Sequence, residues 1–323
     1  MDIFPDMSRR RFIRATLAGV ALALSDLPVT AQSIIRKPIP RSGELLPVIG
    51  LGTWQTFDVG ENEAARAPLR AVLREFTRVG GSVIDSSPMY GSSEAVTGDL
   101  VQNLELHKQL FLATKVWTSD EGTTRVERTR RLLMGTRNAG VRQMEESYRR
   151  LRTGRMDLLQ VHNLIDYRTH LDTLRQWKEQ GRVRYIGVTH HTASAYNDLA
   201  HVISSEELDF VQLNYSLGER EAEKRLLPLA TERRLAVLVN RPFGEGQLFR
   251  RVSGKALPGW IKEMGCASWA QFFLKFIISH PAVTCAIPAT SKVEHLIDNM
   301  GAATGTLPDA TVRERMARFF GEL

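Results

Sequence analysis

The sequence has few of the features on which disulfide-rich or metal-dependent proteins rely. Among its 323 residues there are only two cysteines, Cys266 and Cys285, and neither belongs to a C-x-x-C pair or another metal-ligand spacing. The spacing therefore predicts no disulfide framework and no metal site. Isolated thiols of this kind are most often small buried residues, so we expect both cysteines to lie in the core.

Long apolar runs and one-sided charge are also missing. A short apolar run from about Ala15 to Leu24 is too brief to span a hydrocarbon core of roughly 30 Å as a stable helix. Lysine and arginine number 43 against 36 aspartate and glutamate residues, which gives a formal net charge of +7. Because no lysine-rich tail or nucleic-acid motif accompanies this mild excess, the charge does not indicate a nucleic-acid partner.

The N-terminus has the pattern of an export signal. Residues 8–14 contain consecutive arginines followed by Phe12, the apolar run comes next, and residues 29–31 offer a small-residue cleavage site. This order predicts a twin-arginine (Tat) signal peptide over residues 1–31 and a mature chain over 32–323. The expected partner is the Tat machinery, the expected location is periplasmic or otherwise extracytoplasmic, and no stable membrane span should remain. The alternative is a basic amphipathic arm or an uncleaved anchor.

Short apolar runs recur through the rest of the chain. They are continuous rather than alternating, as expected for parallel strands that are covered on both faces. Hydrophobic residues make up 43% and charged residues 24% of the chain, which is an ordinary balance for a globular protein. The strand candidates lie near residues 47–51, 82–86, 110–115, 156–161, 184–188, 209–213, 236–240 and 283–287.

Amphipathic helical patterns separate these runs. Apolar residues recur at three- and four-residue spacing over 63–79, 143–151, 171–180 and 267–278. Eight strand–helix units in about 290 residues predict an α/β protein, a single-domain (β/α)₈ TIM barrel. The alternative is a doubly wound sheet, which usually carries G-x-G-x-x-G after its first strand. The run over 50–55 lacks the third glycine, and the sequence holds no complete copy elsewhere.

Two long connections depart from a minimal barrel. A polar stretch over 118–138 separates the third strand from its helix, and a second runs from 241 to about 265. Both follow the C-terminal end of a strand, so we expect both on the active face of the barrel. A solvated loop is one interpretation of the first stretch, and a contact surface for a protein partner is another. Its arginines are Arg125, Arg128, Arg130, Arg131 and Arg137.

Four chemically capable side chains lie at or just after successive strand ends. Asp85 ends the second strand and Tyr90 follows five residues later, while Lys115 ends the third strand and His162 the fourth. Taken singly, each has an ordinary structural explanation. Because strand ends converge at the mouth of a barrel, however, the four together predict one pocket.

The same residues resemble the aldo-keto reductase family. The resemblance rests on the motifs over 49–54, 85–91, 114–115, 161–163 and 185–188 and covers roughly residues 39–303. It implies an NAD(P)H-dependent oxidoreductase that reduces aldehyde or ketone carbonyls to alcohols, with a catalytic tetrad. The implied catalytic residues are Asp85, Tyr90, Lys115 and His162.

The chemistry of carbonyl reduction suits these residue types. Tyr90 would supply the proton as general acid, and a nearby cation at Lys115 would lower its pKa from the usual value of about 10. Asp85 would keep Lys115 charged and in place. His162 would hydrogen-bond the carbonyl oxygen and stabilise the developing alkoxide.

The resemblance also implies a nicotinamide site around the fifth, sixth and seventh strand ends. Many relatives have Ser-Asn where this chain has Thr189-His190, so the hydroxyl is kept and the amide is replaced. Many also have an aromatic residue that stacks on the nicotinamide where this chain has Asn240, and Phe243 is the candidate to compensate. The implied contacts are Gly52, Thr53, Trp54, Thr189, His190, Gln212, Asn240, Arg241, Pro242, Phe243 and Gly244.

The phosphates of the dinucleotide are expected at the start of the last barrel helix, where free N–H groups attract anions. Ser291 and Glu294 have the spacing of a capping box there, so a helix cap is the structural explanation. The resemblance implies NADPH as cofactor and leaves NAD open, because a histidine stands where an arginine is frequent in relatives. The implied contacts are Ser291, Lys292 and His295 for phosphate and Asp298 and Asn299 for adenine.

The main alternative to an enzyme is an exported nucleotide-binding sensor or regulatory protein on the same fold, with little turnover. The complete tetrad favours the enzyme, whereas Asn240 and the export signal favour the sensor. A barrel hydrolase would need paired carboxylates or metal ligands, and no motif supplies them. Trp54, Met89 and Trp117 indicate an apolar wall for a small carbonyl substrate. Outside the cytoplasm the cofactor would have to be retained, and the 241–265 connection is the candidate clamp.

Overall fold

A computed structural model describes residues 34–118 and 125–323, with side chains left out from 125 to 136. The predicted signal peptide therefore lies outside the described residues. Within them, an antiparallel hairpin of β1 and β2 precedes a sheet of eight parallel strands. The strands are β1 (Arg36–Pro38), β2 (Leu45–Pro47), β3 (Leu51–Gly52), β4 (Val83–Asp85), β5 (Phe111–Val116), β6 (Met156–His162), β7 (Val183–Thr189), β8 (Phe210–Asn214), β9 (Ala236–Asn240) and β10 (Val283–Ala286).

The parallel strands form a closed barrel. Each strand from β3 to β10 pairs with the next one in the sequence. Parallel bridges from Ile49 to Ala286 and from Gly52 to Ala289 join the first strand to the last. Sequential order with closure is the topology of a (β/α)₈ barrel. The predicted TIM barrel is confirmed, and the doubly wound alternative is excluded.

Helices follow the strands and cover the barrel. In the described part of the chain, none is both long enough and apolar enough to cross a membrane. The helices are α1 (Glu63–Arg78), α2 (Ser93–Asn103), α3 (Arg125–Leu151), α4 (Tyr167–Glu179), α5 (Tyr196–Ser205), α6 (Leu226–Glu232), α7 (Gln247–Arg251), α8 (Trp269–Ile278), α9 (Val293–Gly301) and α10 (Ala310–Gly321).

The sequence-based bounds of the first long connection and of the first strand were wrong. The polar stretch over 118–138 is not a connection throughout, because α3 already begins at Arg125. Arginine, leucine and methionine are good helix formers, so this polar sequence extends the helix towards the strand. The first strand candidate, 47–51, is divided instead. Its start belongs to the hairpin strand β2, and its end is the barrel strand β3.

The hairpin closes one end of the barrel. Ile39 and Leu46 are buried in the same apolar cluster as Phe111 and Phe210, which begin β5 and β8. The hairpin therefore covers the N-terminal ends of the strands. Both cysteines are free and buried, as predicted, and Cys285 belongs to this cluster.

The barrel interior changes from apolar to polar along each strand. In β6, side chains two residues apart share a face, so Leu158, Gln160 and His162 all lie on the interior side. Leu158 belongs to the apolar cluster, whereas Gln160 and His162 are buried polar residues nearer the C-terminal end. In the same way Phe210 is followed by Gln212 in β8. Polar chemistry is thereby confined to the mouth opposite the hairpin.

Two cations hold the end of α8 in place on the outside of the barrel. Lys37 Nζ donates to the carbonyl oxygens of Ile278, His280 and Val283 at 2.7–2.9 Å. Arg313, from α10, donates to the Phe276 carbonyl and, at 2.9 Å, to Ser279 Oγ. Burial, together with the charge of Arg313, lowers the pKa of His280 to about 4. Glu223 opposes that shift, whereas Lys37 and Arg220 add to it.

We predict that His280 makes the fold less stable as the pH falls. An unfolded histidine has a pKa of about 6.5. Below that pH the unfolded chain binds a proton at this histidine, whereas His280 in the folded protein stays neutral until the pH falls to about 4. The free energy of unfolding should decrease as the pH falls from 6.5 to about 4. Urea titrations at several pH values should show a weaker pH dependence for His280→Gln than for the unsubstituted protein.

The control for this prediction is His201→Gln, which removes an exposed histidine of α5. It should leave the pH dependence of unfolding unchanged. Equal slopes for His280→Gln and the unsubstituted protein would contradict the prediction.

Candidate active site

A buried ion pair forms the base of the site. Lys115 Nζ, at the end of β5, lies 2.6 Å from Asp85 Oδ2 at the end of β4 and 2.7 Å from the carbonyl oxygen of Ser86. The two charged side chains are 0% and 3% exposed. Burial disfavours the lysine charge, but the Asp85 carboxylate beside it opposes that effect, and the pKa of Lys115 is raised. The lysine is therefore cationic in the folded protein.

Amide side chains complete the coordination of the aspartate. Asp85 Oδ1 accepts hydrogen bonds from Gln212 Nε2 at 2.8 Å and from Gln160 Nε2 at 3.3 Å. Gln160 was not predicted as a site residue. Its signal in the sequence was its position two residues before His162, which places both on one face of β6.

Gln212, in β8, connects the ion pair to the two flanking strands, β7 and β9. Its Oε1 accepts hydrogen bonds from Thr189 Oγ1 at 3.1 Å and from Asn240 Nδ2 at 3.3 Å. Three residues that the resemblance assigned to the nicotinamide therefore form one polar network with Asp85. Asn240 also donates to the carbonyl oxygen of His190 at 3.2 Å.

Tyr90 lies above the ion pair. Lys115 Nζ is 5.0 Å from the centre of its ring, and the ring of His162 meets it edge-on with 6.1 Å between centroids. Burial raises the pKa of Tyr90, the Lys115 charge lowers it less, and Asp85 raises it further. The expected lowering by lysine is present, but burial outweighs it. The phenol consequently keeps its proton at neutral pH.

A tight turn carries Tyr90 into this position. Its backbone N–H donates to the Ser87 carbonyl oxygen at 3.0 Å. On the far side of the turn, Asp58 Oδ1 accepts from the backbone N–H of Ser92 at 2.8 Å and from its hydroxyl at 2.7 Å. Gly91 has φ +57°, and a Cβ there would lie 2.3 Å from the Asp58 carboxylate. The turn therefore requires glycine directly after the tyrosine.

His162 is uncharged in the folded protein. Burial, the Lys115 charge and the neighbouring His191 and His190 hold its pKa well below the usual value. Its Nδ1 lies 3.1 Å from Ser87 Oγ. The neutral ring can therefore act as a hydrogen-bond donor or acceptor towards the cavity, according to which nitrogen carries the hydrogen.

These groups face a cavity of about 330 Å³. It includes three of the predicted tetrad residues, whereas Lys115 lies beneath it. Trp54 and Met89 form part of the wall as expected, but Trp117 is not among the described residues that do. The lining residues are Gly52, Thr53, Trp54, Asp85, Met89, Tyr90, His162, Thr189, His191, Gln212, Asn240, Arg241, Pro242, Phe243, Glu245, Gly246, Ile287, Pro288 and Ala289.

The connection after β9 forms one side of the cavity. Arg241 Nη1 donates to the carbonyl oxygen of His191 at 2.9 Å, and Arg241 Nε lies 3.3 Å from Glu245 Oε1. Phe243 lines the cavity and packs against Phe249, with 4.8 Å between ring centroids. Gly244, with φ +54°, is part of the turn between these residues.

The sequence missed His191, which lines the cavity, and placed His190 there instead. The two rings are stacked, with 5.4 Å between centroids and an interplanar angle of 9°. His190 Nδ1 accepts from the backbone N–H of His191 at 3.0 Å. Local hydrogen bonding thus engages Nδ1 of the His190 ring.

The predicted phosphate and adenine residues are not among those that line the cavity and lie directly before α9 and along it. The expected capping box is wrong, because Lys292 is the N-cap and its side chain makes no capping hydrogen bond. Ser291 instead precedes the cap, and Thr290 Oγ1 accepts from the Lys292 N–H at 3.1 Å. Lys292 and His295 are exposed, Asn299 is buried, and Asp298 accepts from Gln271 at 2.8 Å.

Among the residues that the structure describes, no group of three or more histidine, cysteine, aspartate or glutamate side chains could hold a metal ion.

We predict that Asp85→Asn strongly destabilises the protein. The substitution leaves the buried Lys115 cation without its counter-charge, and removing one partner of such a pair costs about 3–5 kcal/mol of unfolding free energy. The control is Asp172→Asn, since Asp172 pairs with Arg175 at 3.0 Å and its side chain is 57% exposed. That loss should be about 1 kcal/mol or less. Chemical denaturation measures both, and equal losses would contradict the prediction.

Comparison with known proteins finds one family across most of the chain. The model of the aldo/keto reductase family matches residues 48–316. Methylglyoxal reductase YeaE of Escherichia coli (strain K12) is 27% identical over 270 residues, which are 82% of this chain and 88% of that protein. Aldo-keto reductase YhdN of Bacillus subtilis (strain 168) is 29% identical over 203 residues, or 59% and 56% of the two chains.

Solved structures share the fold. An aldo/keto reductase from Klebsiella pneumoniae in complex with NADP and acetate superposes with a TM-score of 0.69 at 23% identity, covering 90% of this chain and 95% of that one. The holo form of aldo-keto reductase AKR11C1 from Bacillus halodurans gives 0.68 at 18% identity, covering 89% and 96%.

Proposed function

The chain belongs to the aldo/keto reductase family, and we propose that it is an NADPH-dependent oxidoreductase that reduces the carbonyl group of a small aldehyde or ketone to an alcohol. The observation that carries this proposal is the position of the Tyr90 ring, 5.0 Å from the buried Lys115 Nζ, at a cavity that His162 also lines. The relative named methylglyoxal reductase supports the substrate class.

The proposed proton donor is Tyr90. As its proton moves to the carbonyl oxygen, negative charge develops on the phenol oxygen near the Lys115 cation, which stabilises it. Asp85 keeps that cation charged at 2.6 Å. His162 is the neutral hydrogen-bond partner of the carbonyl oxygen. Tyr90 is thus an acid that is protonated at rest, and Lys115 stabilises its conjugate base as the proton is transferred.

The site suits a nicotinamide dinucleotide. When bound, NADPH supplies the hydride to the carbonyl carbon. We assign Thr189, Gln212 and Asn240 to the nicotinamide end, because they line the cavity as one polar network. We assign the start of α9 to the phosphates, because Lys292 does not cap it with its side chain and its first N–H groups are available for an anion. The structural neighbour in complex with NADP supports this cofactor.

We predict that Tyr90→Phe lowers turnover at least ~10²-fold, because a general acid is lost. NADPH affinity should be unchanged, since the ring remains. The measurement combines NADPH binding, followed by fluorescence, with NADPH oxidation in the presence of a panel of aldehydes and ketones. Near-normal turnover in Tyr90→Phe would sink the assignment. Tight NADPH binding by the unsubstituted protein without any turnover would favour a nucleotide-binding sensor instead.

We also propose that residues 1–31 are a twin-arginine signal peptide and that the mature enzyme works outside the cytoplasm. The support is the arginine run, the apolar run and the small-residue cleavage site in that order. Because free NADPH is not expected to be replenished there, the cofactor would be bound before export and retained. The connection over 241–265 is the proposed clamp, because its first residues, up to Gly246, line the cavity.

We predict that replacing Arg9, Arg10 and Arg11 together by lysine abolishes export, because the charge remains but the arginine pattern is lost. Cell fractionation and N-terminal sequencing should find the unsubstituted protein outside the cytoplasm, beginning at Gln32. The control is Arg14→Lys, which should still be exported. Equal export of the triple variant would refute the signal, and nucleotide-free exported protein would refute cofactor retention.

A further inference from the structure

Neither the fold nor the proposed reaction explains why Ser87 lies where it does. It follows β4 two residues after Asp85, and its side chain is fully buried. Its hydroxyl oxygen lies 3.1 Å from Nδ1 of His162 and 3.3 Å from the backbone nitrogen of Met89. Ser87 therefore contacts Nδ1 of the histidine that lines the cavity, and it is not itself among the lining residues.

The two contacts of the hydroxyl determine the direction of each hydrogen bond. The Met89 backbone N–H can only donate, so Ser87 Oγ accepts from it. A hydroxyl has one hydrogen to give, and among the residues that the structure describes His162 Nδ1 is the acceptor within reach. If Nδ1 carried the ring hydrogen instead, the Ser87 hydrogen would be buried without an acceptor, which is costly.

We infer that Ser87 is a positioning residue that fixes the tautomer of His162, so that Nδ1 accepts from the serine and Nε2 carries the ring hydrogen. The ring is neutral in the folded protein, so it has one hydrogen to distribute between its two nitrogens. In the described residues Nε2 has no protein partner, and His162 lines the cavity.

The tautomer decides whether the cavity attracts or repels a carbonyl oxygen. With hydrogen on Nε2, the ring donates to that oxygen and stabilises the charge that develops on it. With hydrogen on Nδ1, the Nε2 lone pair would face the oxygen and oppose binding. The benefit to catalysis rests on the proposed carbonyl reductase function, whereas the tautomer itself does not.

The test separates these two parts. Nitrogen-15 NMR of protein labelled in its histidine rings distinguishes a ring nitrogen that carries hydrogen from one that accepts. The His162 signals are assigned from their absence in His162→Gln. In the full-length protein we expect Nδ1 to be the acceptor and Nε2 to carry hydrogen. In Ser87→Ala, which removes the donor, the signals should shift towards a mixture of both tautomers.

Ser93→Ala is the matched control, because the Ser93 hydroxyl is buried nearby and donates to the Thr53 carbonyl oxygen at 3.3 Å without touching His162. It should leave the His162 signals unchanged, and Ser87→Thr, which restores a hydroxyl, should return them towards those of the unsubstituted protein. A His162 ring with hydrogen on Nδ1, or signals unaffected by Ser87→Ala, would overturn the inference.

Kinetics then report on the catalytic consequence. Ser87→Ala should lower kcat/KM for a carbonyl substrate about tenfold, which corresponds to about 1.4 kcal/mol, with NADPH affinity unchanged. A tautomer that responds to Ser87→Ala in a protein without reductase activity would refute the proposed function and leave the inference on Ser87 intact. Normal kcat/KM in a variant with altered tautomer would overturn the catalytic part.

Discussion

The buried ion pair between Lys115 and Asp85 is the interaction on which the rest of the site depends. Two opposite charges with almost no exposure persist only because every oxygen of the carboxylate has a donor. Those donors come from β5, β6 and β8, so the barrel must close before the charges can be satisfied. The Lys115 cation in turn stabilises the negative charge that develops on the Tyr90 oxygen when the phenol gives up its proton. Burial without the cation would disfavour that charge.

The residues that stabilise the barrel and the residues that form the site lie at different levels along the barrel axis. The hairpin and the first residues of the strands form an apolar interior, and the polar residues follow nearer the C-terminal strand ends. Because strand side chains alternate, a single strand such as β6 contributes to both regions through Leu158, Gln160 and His162. The site is thus carried on rigid strands, while the connections after them supply the cavity wall.

Burial shifts the pKa values of Tyr90 and His162, which line the cavity above Lys115, in opposite directions. It raises the pKa of Tyr90 and lowers the pKa of His162, because in each case it disfavours the charged form. Both are therefore neutral beside a charged lysine. An acid that keeps its proton and an imidazole that can donate are the states that carbonyl reduction needs.

The sequence by itself determined the barrel and the placement of Asp85, Tyr90, Lys115 and His162, since apolar runs mark parallel strands and strand ends meet at one mouth. It could not identify the hydrogen-bond partners of these residues or the direction in which the pKa of Tyr90 is shifted. Those depend on burial and on which neighbours the register brings together, as for Gln160 beside Asp85 and Ser87 beside His162. The start of α9 could not be identified either, because Lys292 rather than Ser291 became its cap. Local sequence patterns indicate where a strand lies and which of its residues share a face. Contacts between side chains of different strands form only when the sheet closes into the barrel.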